Sequence, residues 1–176
     1  MEGSDEELML AYQNGNAGAF ETLYGRHRGK LFRFVLRGIK DRALAEELFQ
    51  EIWMRVIEAR ERYAPTARFT TWLYTIAHHR LVDHWRMRGL SLVTLDETDA
   101  IPDGSDPPAE VEARQSLARF AQALEALPPA QLEAFLLHEE AGLTVAEIAA
   151  ATGANEEAAK SRLRYALAKL KAAIND

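Results

Sequence analysis

The chain has no cysteine among its 176 residues, which excludes a disulfide framework, a thiolate metal site and a cysteine nucleophile. It also has no long apolar run, since the longest stretch free of Asp, Glu, Lys and Arg extends only from Leu8 to Phe20. About 20 apolar residues are needed to span a bilayer. The amino terminus is acidic, unlike a secretory or transit signal. We therefore expect a soluble, cytoplasmic protein without membrane insertion.

Long alternations of apolar and polar residues, which are typical of half-buried strands, are missing as well. Apolar residues recur instead at helical spacing, as Leu44, Leu48, Ile52 and Val56 do. The chain is 48% apolar and 27% charged, a composition that is typical of globular proteins. These features predict an all-α fold.

Helix breakers gather in one part of the chain, namely at Pro102, Gly104, Pro107 and Pro108. This composition predicts a flexible linker over 89–109. The linker would join a four-helix domain at 1–88 to a helix-turn-helix domain at 110–176.

Several residues with capping side chains predict where helices begin: Ser4, Asn16, Asp41, Thr144 and Asn155. Thr144 and Glu147 have the spacing of a capping box. The fourth helix is expected at 70–88, and Gly25 and Gly29 are candidate breaks in the second helix.

Charge is distributed unevenly along the chain. The 21 basic and 27 acidic residues give a net charge of −6, which argues against a free-standing nucleic-acid binder. However, six acids and no base lie in 91–110, whereas seven bases and one acid lie in 26–42, and five bases and no acid in 160–171. Charge runs are often solvated faces, but two basic blocks around an acidic spacer also suit two anion-binding units.

The last predicted helix has two distinct faces. Six residues are expected to pack inward: Ala159, Leu163, Ala166, Leu167, Leu170 and Ile174. The opposite face and its flanks carry polar and basic residues: Lys160, Ser161, Arg162, Arg164 and Tyr165. Because a short capped helix and a turn with Gly153 precede it, this unit is typical of a DNA-binding helix-turn-helix. The alternative is an amphipathic core helix with a solvated basic face.

The third predicted helix carries an acidic stripe opposite its apolar one, made of Glu47, Gln50, Glu51, Met54 and Glu58. Such a stripe is either solvated surface or a docking face for a basic partner.

Aromatic and basic residues alternate in and before the fourth helix. The aromatic ones are Tyr63, Phe69, Trp72, Tyr74 and Trp85, and the basic ones are Arg62, Arg68, Arg80, Arg86 and Arg88. The aromatic rings are either core residues or a platform on which unpaired bases stack.

Three segments follow one another at characteristic spacing: DRALAEELFQEIWMRVIEA, FTTWLYTIAHHRLVDHWRMR and LPPAQLEAFLLHEEAGLTVAEIAAATGANEEAAKSRL. Together they resemble the extracytoplasmic-function (group IV) sigma factors of bacterial RNA polymerase. The resemblance extends over about residues 5–174. It implies a two-domain protein, with the parts called region 2 and region 4, that directs promoter-specific transcription initiation.

The resemblance also implies roles for particular residues. The outer face of the third helix would dock on core polymerase, through Glu47, Gln50, Glu51, Met54 and Arg55. The next loop and the fourth helix would bind the −10 element and capture a flipped base, through Tyr63, Arg68, Phe69, Thr70, Thr71, His79, Arg80, Arg86 and Arg88. The last helix would read the −35 element in the major groove, through Thr144, Lys160, Ser161, Arg162, Arg164 and Tyr165.

The chain departs from the family pattern at several of these positions. His79 stands where the family usually has asparagine, and Glu157-Ala158-Ala159 replaces Gly-Thr-Val. Tyr165 and Leu167 replace common arginines. We expect a weaker or different −35 contact and an unchanged fold.

The implied partners are core RNA polymerase, promoter DNA and an anti-sigma factor, with no cofactor, no metal, no small-molecule substrate and no enzymatic activity. Two alternatives remain at this point. One is a free-standing helix-turn-helix regulator with a helical sensor domain. The other is a metal-dependent enzyme that uses the histidines and carboxylate at His78, His79, Asp83 and His84.

Overall fold

The computed structural model describes residues 2–90 and 113–175, and these residues form helices and no strand. The helices are α1 (Asp5–Gln13), α2 (Ala17–Ile39), α3 (Arg42–Ala59), α4 (Phe69–Met87), α5 (Ala113–Ala126), α6 (Pro129–Glu139), α7 (Val145–Thr152) and α8 (Glu156–Asn175), with a 3₁₀ turn at Arg60–Arg62. The all-α prediction is confirmed. Nearly all of the predicted linker lies outside the described residues.

The predicted helix starts are confirmed by their hydrogen bonds. In α1 the Ser4 hydroxyl accepts from the Glu7 amide while the Glu7 carboxylate accepts from the Ser4 amide, and Thr144 and Glu147 form the same reciprocal pair at α7. Three other side chains accept from the amide three residues further on: Asn16, Asp41 and Asn155. These bonds satisfy amides that the first turn of a helix leaves free.

Helix α2 runs without interruption through Gly25 and Gly29, so the predicted break is wrong. Side chains before and after the glycines, such as Leu23 and Leu31, are buried in the core. Their packing keeps the helix continuous across Gly25 and Gly29. A third glycine, Gly38, allows α4 to approach closely, since a Cβ there would lie 2.9 Å from Leu81 Cδ2.

Helices α1–α4 form a first unit and helices α5–α8 a second unit, and each unit encloses apolar side chains. Helices α1–α4 enclose residues such as Phe34, Ile52 and Leu73, and helices α5–α8 enclose others such as Leu136 and Leu163.

Two residues of α8 differ from the expected burial. Leu167 is 42% exposed and Ile174 is 40% exposed, although both were expected to face inward. Leu167 lies about 40° around the helix from the buried Leu163, at the edge of the packed stripe. Ile174 lies in the last turn.

The two units also pack directly on each other. Helix α4 packs against α7, and α2 packs against α6. Nothing in the sequence pattern predicts this contact, which places the fourth helix of the first unit beside the helix-turn-helix.

Candidate docking face and nucleic-acid interfaces

The outer face of α3 is acidic with an apolar centre. Glu47 and Gln50 are exposed, Met54 is 53% exposed, and all three line one shallow groove together with Glu51 and Glu58. The opposite side of α3 is anchored in the core by buried side chains such as Leu48, Ile52 and Val56. Because those side chains fix the rotation of the helix, the acidic residues point away from the protein.

Two ion pairs connect the edge of this face to α4. Arg80 Nε donates to the Glu51 carboxylate, and Arg55 lies 3.9 Å from the Asp83 carboxylate. These four residues alternate in sign along the junction of the two helices. The candidate polymerase residues Glu51 and Arg55 are therefore paired with residues of the candidate DNA helix.

The aromatic residues before and in α4 lie in the core. Tyr63 and Phe69 are 4% and 0% exposed, and their rings contact each other and Trp72. Burial, together with the nearby carboxylates of Glu6 and Asp5, raises the pKa of Tyr63 to about 12. In this structure both rings therefore belong to the core, where a base could reach neither of them.

The polar candidates of the same region lie nearer the surface. Arg68, His79, Arg86 and Arg88 are exposed, Arg80 and Thr70 are half-buried, and Thr71 is buried. The Thr70 hydroxyl is buried without a hydrogen-bond partner among the described residues. The three exposed arginines are cations of the kind that contact a phosphate backbone.

Helices α7 and α8 form the predicted helix-turn-helix. Gly153 ends α7 in the left-handed conformation, with φ 68°, and Asn155 caps α8. On α8, Lys160 and Arg164 are exposed, while Ser161, Arg162 and Tyr165 are half-buried. The Arg164 guanidinium lies 5.4 Å from the centre of the Tyr165 ring, which restrains it at the surface.

The first contact between the units joins candidate DNA residues to α7. The Thr71 hydroxyl donates to the Glu147 carboxylate at 3.1 Å, and Arg68 lies 3.4 Å from the same group. Burial raises the pKa of Glu147, but the hydrogen bonds from the Thr144 amide and Thr71, together with Arg68, hold that pKa below its ordinary value. Glu147 is therefore ionised at neutral pH. In that state its carboxylate accepts from the Thr71 hydroxyl and pairs with Arg68.

Two further contacts join the units. His78 Nδ1 lies 2.8 Å from both carboxylate oxygens of the buried Glu133. Glu140 pairs with Arg33 at 3.2 Å and with Arg37. Part of the basic block on α2 thus faces an acid of the second unit, and His78 is held by Glu133.

The acids at the contact between the units were not recognised in the sequence. Glu147 was interpreted only as a cap, and Glu133 and Glu140 carried no assignment. A usable signal was the excess of bases in 26–42, because such a block favours an acidic counterpart.

No group of three or more potential ligands suited to a metal ion occurs in residues 2–90 and 113–175. Over the same ranges, none of the helices combines the length and the apolar character needed to cross a membrane.

Comparison with known proteins places the chain in a family. Residues 23–90 match Sigma-70 region 2, and residues 117–170 match Sigma-70 region 4. The chain is 34% identical over 178 positions to the RNA polymerase sigma factor CarQ of Myxococcus xanthus, with 96% of each protein covered. It is 31% identical to the ECF RNA polymerase sigma factor SigL of Mycobacterium tuberculosis, with 91% of each covered.

Solved structures share the fold. CnrH, in a complex with the cytosolic domain of CnrY, superimposes with a TM-score of 0.71 at 24% identity, over 97% of this chain and 96% of that one. The sigma factor RpoE of Bartonella quintana, in a complex with the anti-sigma factor NepR, gives 0.66 at 22% identity, over 88% and 96%.

The chain belongs to the extracytoplasmic-function sigma factors of bacterial RNA polymerase. It is an alternative sigma factor that binds core polymerase and directs transcription initiation at promoters. The free-standing regulator considered above is not favoured.

Proposed function

We propose a division of labour between the two units. Residues 1–88 dock on core polymerase and open the −10 element, residues 110–176 read the −35 element, and 89–109 link the two. The observation that carries this proposal is the presence of an exposed acidic face on α3 together with exposed cations on α4 and α8. The chain acts by binding alone, in the cytoplasm, without enzymatic chemistry.

The docking role rests on the chemistry of the α3 face. Met54 supplies an exposed apolar centre, and Glu47 and Glu51 surround it with negative charge. A complementary partner is a basic helix with an apolar stripe, since charge complementarity orients such a contact. Gln50 and Arg55 complete the face.

The −10 role falls to the residues that remain accessible. Arg68, Arg86 and Arg88 supply cations for the phosphates, and His79 lies exposed on α4 between them. Thr70 and Thr71 lie at the start of α4, but the Thr70 hydroxyl is buried and the Thr71 hydroxyl is bonded to Glu147, so both would have to be uncovered before they contact DNA. Tyr63 and Phe69 support this surface from the core instead of stacking on a base.

The −35 role falls to the start of α8. Exposed Lys160 and Arg164 lie one helical turn apart, and Ser161 lies beside them. An arginine at such a position reads guanine, while a lysine contacts phosphate. Glu156 and Glu157 precede them, and their charge limits the affinity of this helix for DNA.

The packed arrangement of the units implies that they separate before promoter binding. Thr71 and Arg68 are already bound to the Glu147 carboxylate, so a DNA strand that contacts them has to displace Glu147. The contact between α4 and α7 also holds the −10 and −35 surfaces together, whereas the two promoter elements lie apart along DNA.

An anti-sigma factor is the proposed regulator. RpoE of Bartonella quintana, which has the same fold, was solved with its anti-sigma factor. A protein that covered the α3 face or held α4 against α7 would keep this chain from polymerase or DNA.

The docking role is tested by assembly with purified core polymerase. Glu47→Lys and Glu51→Lys should each weaken binding of the labelled chain about tenfold or more, because each reverses a charge at the contact. Glu21→Lys, at an exposed acid of α2, is the matched control and should bind like the unchanged chain. Equal binding by all four proteins, with unchanged melting temperatures, would refute the docking face.

A further inference from the structure

The Glu51–Arg80 ion pair joins two surfaces that the proposed function keeps separate. Glu51 belongs to the docking face on α3, and Arg80 belongs to the DNA surface on α4. The Arg80 side chain is only 18% exposed, whereas that of Arg68, on the same surface, is 61% exposed. Arg80 is therefore directed toward α3 and largely withdrawn from solvent.

The neighbouring acids of the docking face lack such a connection. Within 2–90 and 113–175, neither Glu47 nor Glu58 forms an ion pair, and both are exposed. The second ion pair between α3 and α4, Arg55–Asp83, spans 3.9 Å, and both of its side chains are more exposed than those of Arg80 and Glu51. Glu51 is thus the acid that combines a place on the docking face with a hydrogen bond to a cation of α4.

A guanidinium that is bound to a carboxylate is poorly available to a phosphate. The pair is neutral overall, and a phosphate that approached Arg80 would also meet the charge of Glu51. A cationic group placed on Glu51 by a docking partner would compete with Arg80 for the carboxylate. The guanidinium could then replace its charge-assisted hydrogen bond to Glu51 with one to a phosphate.

We propose that Glu51 is a positioning residue that withholds Arg80 from DNA until a basic partner occupies the docking face. The inference rests on the proposed function, because it assumes that α3 docks and that α4 binds DNA. Linkage makes the coupling reciprocal, so DNA held by Arg80 would also strengthen docking by the same factor. The free chain accordingly keeps one of its cations neutralised.

The test compares binding of a fluorescein-labelled single-stranded oligonucleotide by the full chain, at low salt and across a salt series. Glu51→Gln should bind about threefold to tenfold more tightly than the unchanged chain. Its log–log salt slope should be steeper by about 0.7, the value for one added phosphate contact on a single strand. Glu58→Gln, which removes an equal charge from the same helix, should leave the slope unchanged.

Arg80→Gln completes the cycle. Alone it should change binding little, because Arg80 is already occupied by Glu51 in the free chain. In the Glu51→Gln background it should abolish both the gain in affinity and the steeper slope. Melting temperatures of all variants, followed by circular dichroism, check that each one folds.

Three results would overturn the inference. They are an equal gain in Glu58→Gln, a gain that survives Arg80→Gln, and no difference between Glu51→Gln and the unchanged chain, including no binding by either at low salt. Failure of the proposed function would be seen elsewhere, as an unchanged chain that does not assemble with core polymerase. The two failures are therefore distinguishable.

Discussion

Reversing the charge of Glu140 should open the contact between the two units. The Glu140 side chain is 12% exposed and pairs with both Arg33 and Arg37 of α2. Each pair with such half-exposed arginines contributes about 0.2–1 kcal/mol. Because Glu140→Lys replaces both attractions with repulsions of similar size, the cost to the closed state is about 1–3 kcal/mol. This shifts the equilibrium toward the separated units by about 5- to 150-fold.

The opening can be measured as a distance between two spin labels, because the chain has no native cysteine that would be labelled as well. Cysteines introduced for Glu58 on α3 and Lys171 on α8, both exposed, carry a pair of spin labels without interference from native thiols. The distance distribution should have one narrow maximum in the otherwise unchanged chain and should gain a second, broad component in Glu140→Lys.

The neighbouring acid provides the control. Glu139 is exposed and pairs with His138 of its own helix, so Glu139→Lys makes an equal change of net charge without touching α2. It should leave the distances unchanged. If Glu140→Lys gave the same distribution as Glu139→Lys, the ion pairs would not be what holds the units together.

Three further predictions concern stability and binding. Gly153→Ala should lower the free energy of unfolding by about 1 kcal/mol, because Gly153 has φ 68°. Gly25→Ala should raise the same free energy by about 0.5–1 kcal/mol, because Gly25 lies inside α2 with open space around its Cβ position. Equal signs in urea denaturation would contradict this. Arg164→Ala should weaken binding of holoenzyme to duplexes with the −35 element by about 1–3 kcal/mol if Arg164 reads a base, and a change confined to the salt slope would show a phosphate contact instead. Burial lowers the pKa of His27 despite its bond to Asp5, so its contribution to stability is present above pH 6.5 and is lost as the pH falls through the lower folded value. His27→Gln should reduce that loss in unfolding curves measured below pH 6.5.

Local features of this fold could be predicted because their causes are local. The caps at Ser4 and Thr144 join groups three residues apart, and sequence spacing is enough to recognise them. The outer face of α3 could be predicted for a similar reason, since a helix with one apolar stripe must turn its other side outward.

The aromatic stretch could not be assigned from spacing. Tyr63 and Phe69 are core residues, whereas Arg68, Arg86 and Arg88 are exposed. Composition was compatible with a core or a platform, and only the packing of α1 and α4 on that loop decides between the two. The Phe69 amide, for example, donates to the Glu6 carboxylate from α1.

The contact between the units depends on pairs that lie far apart in the sequence. Thr71 and Glu147 are 76 positions apart, and Glu147 already has a local role as a capping residue. Because capping alone explains a glutamate at position 147, the sequence gives no sign that Glu147 also contacts Thr71. The arrangement of the units therefore required the structure.

The role of this chain as a sigma factor is tested by transcription from a linear duplex promoter with purified core polymerase. We expect a product with one defined start site only when this chain and core polymerase are both present. We also expect the chain alone to bind the same duplex poorly. The sigma-factor role is contradicted if no promoter of a broad panel gives such a product while the chain alone binds duplex DNA tightly.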